Sequence, residues 1–298
     1  MSATERAAIV DAAKALAGEA QAGNSAAVKA GTVASVAANF DGIAKSVEAI
    51  APLIKGAAIT VDAVYGLDAS DAKPGEDEAQ FFCNAADAAT QVTFTIPHLP
   101  PGRFAFAVVH ATGVAKPQQL ALLLEFDGQW KLAGFFPRPL TAAGHDGLWY
   151  WKQARAFAQK KQNWNAYFYY TTATYLLAPA NFLTSSNLDK LVGETQSVKP
   201  PGLPGASPMT LSDGGKSFSI TSLRTDDAFN GLDLVVRYTA TGGSDAVAAR
   251  AETVNVMKAL VKAHPELRDG FHGLWVFADG PSGAVFSLEQ PMTQTPPA

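Results

Sequence analysis

The sequence is poor in the side chains that build metal and redox centres. It has one cysteine, Cys83, among 298 residues. A single thiol excludes an internal disulfide and the paired cysteines of a zinc or dithiol redox site. Cys83 follows Phe81 and Phe82 in an apolar run, which favours a small buried side chain over a nucleophile. The five histidines show no metal-ligand spacing, so we predict no metal and no other cofactor; they are His98, His110, His145, His264 and His272.

Charged side chains are scarce as well. They make up 17 % of the chain, and the formal net charge is −4, whereas about 25 % is usual for globular proteins. A weakly charged, mildly acidic chain is poorly suited to a phosphate backbone, so we expect no nucleic-acid partner. The shortage of charge also leaves few groups for acid–base work, which favours a non-enzymatic protein.

Long apolar runs are missing too. Residues 162–188 carry no charge, but polar residues and Pro179 interrupt them, and the segment fails the test for a membrane span. Residues 1–20 contain charged side chains throughout and lack the apolar core of a signal peptide. We therefore expect a protein that does not span a membrane. The content of Ala, Thr, Asn and Gln slightly favours an extracytoplasmic location, periplasmic or secreted after removal of a leader.

What the chain does contain is a helical beginning followed by alternating segments. Ser2 and Glu5 have the spacing of a capping box, and Asn24 is placed to cap a second helix. A third helix is predicted from about residue 39 to Gly56. The period then changes, and strands are predicted over 57–67, 78–83, 91–96, 103–112, 118–126 and 129–136. Asp127-Gly128 is typical of a hairpin turn between the last two. Residues 1–138 are thus predicted to form an α+β domain, with helices packed on an antiparallel sheet.

This order resembles the NTF2-like superfamily, a cystatin-like α+β fold that includes SnoaL-type and ketosteroid-isomerase-shaped proteins. The resemblance is carried by Ala22-Gly23-Asn24 between the first two helices and by the closing hairpin from Leu120 to Phe136. In many such domains the last strand starts, as here, with Trp-Lys-Leu after a glycine turn. The resemblance implies a cone-shaped pocket on the concave face of the sheet. Some members use that pocket for isomerase or cyclase chemistry.

The middle of the chain predicts a helical hairpin over 139–198, with helices at 148–162 and 164–177. The spacing of its aromatic and small residues resembles one tetratricopeptide hairpin, through Trp151, Ala154, Ala158, Trp164 and Pro179. No second copy follows at a 34-residue period, so we expect no solenoid. A stiff proline-rich linker is predicted at 199–208.

The last part of the chain predicts a small ββαββ unit over 209–292. Its strands are expected at 217–224, 232–239, 273–278 and 284–289, and its helix at 245–264, ended by Pro265. Residues 293–298 are expected to form a disordered tail.

No catalytic signature is complete, so no catalytic residue is predicted. Asp213 to Ser217 resembles part of a phosphate loop, but Thr210 stands where the first glycine belongs. The candidate ligand-binding residues are Tyr65, His110, His145 and Trp149.

The candidates come from two segments. Strand alternation places Ile59, Val61, Ala63 and Tyr65 on one face of the first strand, and it places His110 on the face of Phe104, Phe106 and Val108. If that is the concave face, Tyr65 and His110 are polar groups in an apolar pocket. The alternative is a core histidine bonded to a carbonyl. Asp62 and Glu125 are candidate bases only on the opposite faces of their strands.

The second segment is Gly144-His145-Asp146-Gly147, which three aromatic residues follow closely. His145 and Trp149 either line a cleft beside these rings or belong to the start of a helix that Asp146 caps.

We interpret the chain as a non-enzymatic binding or scaffold protein whose partner is a small apolar ligand or another protein. The partner surface is predicted from the hairpin aromatics Trp149, Trp151, Trp164, Tyr167, Tyr169 and Tyr170. The alternative is a small-molecule-binding protein or an enzyme that uses the NTF2-like cone. A third interpretation is a tetratricopeptide-like hairpin that grips a peptide.

Overall fold

The computed structural model describes residues 1–73, 77–84, 90–229, 231–241 and 245–295. Contacts divide the chain into two compact units. The N-terminal unit comprises Met1–Gly147 and Thr174–Lys190, and the C-terminal unit comprises Leu148–Ala173 and Leu191–Ala298. The predicted hairpin segment, 139–198, therefore contributes residues to both units. Helices and mainly antiparallel sheets are mixed along the chain, which confirms the predicted α+β class.

The described elements follow in chain order. Those up to residue 146 are α1 (Ala3–Gln21), α2 (Ser25–Ala30), α3 (Ala34–Ala37), α4 (Asp41–Ile54), β1 (Ala58–Asp68), β2 (Glu78–Asn84), β3 (Gln91–Pro97), β4 (Arg103–Thr112), β5 (Gln118–Phe126), β6 (Trp130–Pro139), β7 (Thr141–Ala142) and β8 (His145–Asp146). The later ones are α5 (Gly147–Gln159), α6 (Asn163–Leu177), β9 (Leu183–Ser185), α7 (Ser186–Ser197), β10 (Met209–Asp213), β11 (Lys216–Asp226), β12 (Asp233–Thr239), α8 (Ala246–Ala263), α9 (Leu267–Gly270), β13 (Gly273–Gly280) and β14 (Gly283–Pro291).

The predicted helix starts are confirmed by their caps. Ser2 Oγ accepts a 3.1 Å hydrogen bond from the Glu5 amide, and the Glu5 carboxylate accepts one from the Ser2 amide. Asn24 Oδ1 accepts from the Ala27 amide at 3.2 Å and begins α2. These bonds satisfy amide groups that have no carbonyl partner within the helix.

The N-terminal unit has three layers. β1, β4, β5 and β6 form a four-stranded antiparallel sheet in the order β1-β4-β5-β6, and α1 and α4 pack on one face of it. A second antiparallel sheet, β2-β3-β9, shares a core with the other face. That core is rich in aromatic rings: ring centroids lie 5.3 Å apart for Tyr65 and Phe94, 5.2 Å for Phe94 and Phe106, and 5.6 Å for Phe106 and Phe182. The NTF2-like assignment stays a prediction.

A β-bulge in β1 changes which side chains face each core. Val61 pairs with Val109 and Ala63 with Val108, so Asp62 is an extra residue in the strand. An extra residue reverses the alternation beyond it. Ile59 and Val61 therefore pack in the core beneath the helices, whereas Ala63 and Tyr65 pack between the two sheets. The prediction that all four share one face is wrong for this reason.

The C-terminal unit contains a five-stranded sheet in the order β10-β11-β12-β13-β14. Its β12 and β13 are parallel, and the chain between them forms α8, which packs on the sheet. The other neighbouring pairs are antiparallel. The predicted ββαββ order is present, with the short strand β10 added at one edge. Residues 199–208 contain turns and bends but no helix or strand.

The end of the described chain is ordered rather than disordered. Arg268 donates to the carbonyl of Met292 at 2.7 Å and to that of Thr295 at 3.0 Å. Thr295 is only 2 % exposed, so the predicted tail does not begin at residue 293. Residues 296–298 lie outside the described residues. None of the helices in the described ranges combines the length and the apolar character needed to cross a membrane.

Candidate functional site

Tyr65 and His110 share a face of the four-stranded sheet but do not come together. Tyr65 is paired with Phe106 across β1 and β4, and His110 is paired with Thr60. Four residues along β4 therefore separate the two positions, a distance of about 13 Å. Tyr65 packs in the aromatic core between the sheets, and His110 lies at its margin with 27 % of its side chain exposed.

Asp62 lies beside His110, contrary to the prediction from strand alternation. The bulge puts Asp62 on the face of His110, and Asp62 Oδ1 lies 3.9 Å from His110 Nδ1. This distance is too long for a hydrogen bond. The Asp62 side chain is 59 % exposed, so water screens the attraction and the pair contributes little energy.

Glu125 is far from His110 along the sheet. Glu125 pairs with Phe104 and Lys131, whereas His110 pairs with Gln119 near the other end of β5. Burial raises the pKa of the Glu125 carboxyl group. The structure therefore brings Asp62, but not Glu125, to the predicted histidine.

The other two predicted residues belong to different units. His145 is exposed and pairs with Ala142 in the two-stranded ribbon of β7 and β8, in the N-terminal unit. Trp149 lies in α5 in the C-terminal unit, half-buried, with its ring centroid 5.0 Å from that of Tyr150 and 6.2 Å from that of Tyr169.

Most of the hairpin aromatics stabilise the C-terminal unit from inside. Trp164, Tyr169 and Tyr170 are buried, and the remaining three of the predicted surface are half-buried. Tyr169 donates its hydroxyl to the Gly270 carbonyl, and burial raises the pKa of this phenol to about 12. Trp164 stacks on His264 with the ring centroids 3.8 Å apart. Rings engaged in this way offer little surface to a partner protein.

The N-terminal unit has a cleft of about 580 Å³ beside β1. Of the four predicted ligand residues, Tyr65 lines it. The start of α1, the second half of β1, the end of β2 and the start of β4 form its walls, through Met1, Glu5, Arg6, Val64, Tyr65, Gly66, Leu67, Asp68, Cys83, Asn84, Arg103, Phe104 and Trp130.

Polar groups of the cleft are partly engaged with each other. Arg103 forms an ion pair with Glu5. Asp68 accepts hydrogen bonds from the Ser70 hydroxyl at 2.7 Å and from the Ser70 amide at 3.0 Å, and these bonds lower the pKa of the Asp68 carboxyl group. The exposed Arg6 makes one long bond, 3.5 Å, to the Val64 carbonyl. Since a guanidinium has five N–H donors, most of its donor capacity is left for a ligand.

Cys83 lines the cleft as a weak nucleophile. Burial raises the pKa of its thiol above the ordinary value, so the neutral thiol predominates near pH 7. It is half-buried, and its Sγ lies 3.9 Å from the Gly66 carbonyl oxygen. Cys83 was predicted to be buried and is half-buried instead, and the raised thiol pKa favours a packing role over a catalytic one.

A second group of chemically active side chains, besides those of the cleft, lies in the C-terminal unit. Asp233, His272 and Glu289 each place one potential metal-ligand atom within 4.8 Å of the others, and they form the one such group found in the described residues. Sequence spacing missed it because the three residues come from three separate strand regions. One signal in the sequence could have indicated the group. Asp233 and His272 each stand directly at the start of an apolar run, and these two runs form the parallel strands β12 and β13.

No family model, no curated protein and no solved structure matches the chain.

Proposed function

We propose that the chain is a non-enzymatic binding protein and that the cleft beside β1 holds a small ligand with a carboxylate group. The observation that supports this proposal is the combination of a ligand-sized cleft with the weakly engaged Arg6 guanidinium at its wall. Small-molecule sites commonly have volumes of about 300–1,000 Å³, and the cleft falls within that range.

The hydrocarbon part of the ligand would contact the half-buried rings of Tyr65 and Trp130, because Val64 and Phe104 are buried in the cores. The acidic side chains Glu5 and Asp68 already accept bonds from protein groups. An arginine accepts a carboxylate through two parallel N–H bonds, which gives orientation as well as affinity. These contacts would bind the ligand without transferring a proton to it or from it.

An enzyme built on the concave face of the sheet is the alternative. It has less support, because aromatic side chains fill the core between the two sheets. The pair formed by Asp62 and His110 is also too widely spaced and too exposed for the general-base arrangement of a buried active site.

The test compares a carboxylate with its neutral counterpart by isothermal titration calorimetry of the full chain. Hexanoate is expected to bind about tenfold more tightly than hexanamide, because a charged partner strengthens a hydrogen bond. Arg6→Gln should abolish this preference, whereas Arg250→Gln, at an exposed arginine on α8, should preserve it. A preference that survives in Arg6→Gln would place the ligand elsewhere, and equal affinity in the wild-type protein would contradict the proposed ligand class.

Occupancy of the cleft can be checked at Trp130. Hexanoate should change the tryptophan fluorescence of the wild-type protein, and Trp130→Phe should remove that change while hexanoate still binds. A signal unaffected by Trp130→Phe would contradict binding in this cleft.

A further inference from the structure

Asp233, His272 and Glu289 meet at one edge of the C-terminal sheet. Asp233 is the first residue of β12, His272 directly precedes β13, and Glu289 lies on β14. His272 Nδ1 is 3.0 Å from Asp233 Oδ1 and 4.0 Å from Glu289 Oε1. Neighbouring strands in the order β12-β13-β14 hold the three side chains, so the group is built on the rigid part of the unit.

Two buried oxygens of this group are unsatisfied. Asp233 is 0 % exposed, and its Oδ2 has no hydrogen-bond partner among the described residues. Glu289 Oε1 is buried and unpartnered in the same way. A buried carboxylate oxygen without a partner is costly, because water no longer solvates its charge. Two such oxygens beside one imidazole form a place where a cation would find ligands.

Glycine lets the backbone pass close to the side chains of this group. A Cβ at Gly273 would lie 2.7 Å from Glu289 Oε1 and 3.0 Å from Asp233 Oδ1. A Cβ at Gly231 would lie 2.4 Å from that of His272. Any other residue at either position would push into the group, so glycine is what allows the backbone to pass this close to the three side chains.

The local charge favours a cation. Burial raises the pKa of both the Asp233 and the Glu289 carboxyl groups, and repulsion between the two acts in the same direction on Glu289. Asp226, which pairs with Asp233 across β11 and β12, adds to the negative potential. Arg224 is bonded to Asp226 at 2.6 Å. A cation between Asp233 and Glu289 would remove the repulsion that burial makes severe.

We propose that Asp233, His272 and Glu289 bind one divalent transition-metal ion of the zinc class. One imidazole nitrogen with two carboxylate oxygens is a common donor set for zinc and its neighbours, whereas calcium and magnesium sites use oxygen alone. The His272 side chain is 41 % exposed, so solvent or a solute reaches the remaining coordination positions. This site lies in the other unit and is independent of the proposed cleft.

The two distances from His272 Nδ1 are close to those that coordination needs, and the ligand atoms of Asp233 and Glu289 lie within 4.8 Å of each other. Two ligand atoms that bind one zinc ion at about 2.1 Å are about 3.4 Å apart in a tetrahedron and at most about 4.2 Å apart. The pair at 3.0 Å and the pair at 4.0 Å bracket the tetrahedral separation.

The test is calorimetric titration of the metal-free full chain, without an affinity tag, with zinc chloride at neutral pH. One equivalent is expected to bind, and calcium and magnesium chloride should give no comparable signal. His272→Gln and Glu289→Gln should each weaken zinc binding by more than about tenfold. Their circular dichroism spectra should match that of the wild-type protein.

The matched control is Asp62→Asn, which alters the exposed histidine–aspartate pair of the N-terminal unit and should leave zinc affinity unchanged. Cobalt(II) in place of zinc should give a visible absorption band in the wild-type protein that His272→Gln abolishes.

Three outcomes would overturn the proposal: no zinc binding by the folded wild-type protein, unchanged zinc affinity in both folded variants, or tighter binding of calcium than of zinc.

Discussion

Glu194 and Asp233 are two carboxylates of the C-terminal unit that experience opposite surroundings. Glu194 accepts hydrogen bonds from Arg155 Nε at 2.8 Å, from Arg155 Nη2 at 2.7 Å and from Trp151 Nε1 at 2.8 Å. These bonds lower the pKa of Glu194 to about 2. Asp233 is more deeply buried, has one oxygen unpartnered, and has a raised pKa.

The difference separates a structural acid from a candidate site. The bonds of Glu194 outweigh the cost of partial burial, so the carboxylate stabilises the fold as it stands. The bonds from His272 and from the Gly273 amide do not outweigh the burial of Asp233, so the pKa of its carboxyl group stays raised. The number of hydrogen bonds, rather than the residue type, distinguishes the two.

The largest effect is expected from Glu194→Gln. The amide of Gln places N–H groups where Arg155 and Trp151 also donate, so charge-assisted bonds are lost and donors face donors. Urea unfolding should show a loss of about 2–3 kcal/mol in the free energy of unfolding. Asp233→Asn, measured without metal, is the comparison and should cost less because it removes an unfavourable buried charge. A larger loss in Asp233→Asn would reverse the ranking of the two acids.

Gly273→Ala is expected to have the next largest effect. The added methyl group meets Glu289 Oε1 at 2.7 Å and the Gln290 carbonyl oxygen at 2.8 Å, and such overpacking costs about 1–3 kcal/mol. Gly193→Ala in α7 is the control, because nothing lies within 4 Å of its added Cβ. That change should stabilise the protein by up to about 1 kcal/mol. If Gly273→Ala proves neutral, the space around Asp233 and Glu289 is less confined than the backbone indicates.

The smallest effect is expected in how the free energy of unfolding depends on pH, which should differ between variants of the two acids. It is measured by urea unfolding in the presence of a chelator. The folded-state pKa of Glu194 is depressed, so its contribution is present above pH 4.5 and is lost as the pH falls towards 2. The loss in free energy of unfolding caused by Glu194→Gln should therefore become smaller over that pH range. The folded-state pKa of Asp233 is raised, so its contribution is present at low pH and is lost as the pH rises through that pKa. The free energy of unfolding of the wild-type protein should therefore rise relative to that of Asp233→Asn as the pH falls from 7 to 4. An opposite trend would contradict the surroundings assigned to Asp233.

Local signals predicted the framework of both units. The Ser2 capping box, the Asn24 cap and the Asp127-Gly128 hairpin are each formed by residues close in sequence, and all three are present. Strand β10 was missed because Leu211 is its one buried residue, which is too little alternation for a pattern. Local chemistry therefore predicts the elements whose stabilising bonds are themselves local.

The sites depended on features that no local pattern contains. The extra residue at Asp62 reverses the faces of β1, and nothing in the alternation of its neighbours indicates where the register shifts. Asp233, His272 and Glu289 meet only after β12, β13 and β14 have paired. Parallel pairing joins segments that α8 separates in sequence, so the group is a product of topology.

Cys83 gives the cleft a built-in chemical reporter. It is the one thiol of the chain and it lines the cleft beside Gly66. A maleimide or iodoacetamide therefore attaches at a single known position without prior mutagenesis. Because the thiolate is the reacting form and the thiol pKa is raised, alkylation should be slow at pH 7 and faster at higher pH. A bound molecule would shield the sulfur, so the labelling rate measures how much of the cleft is occupied.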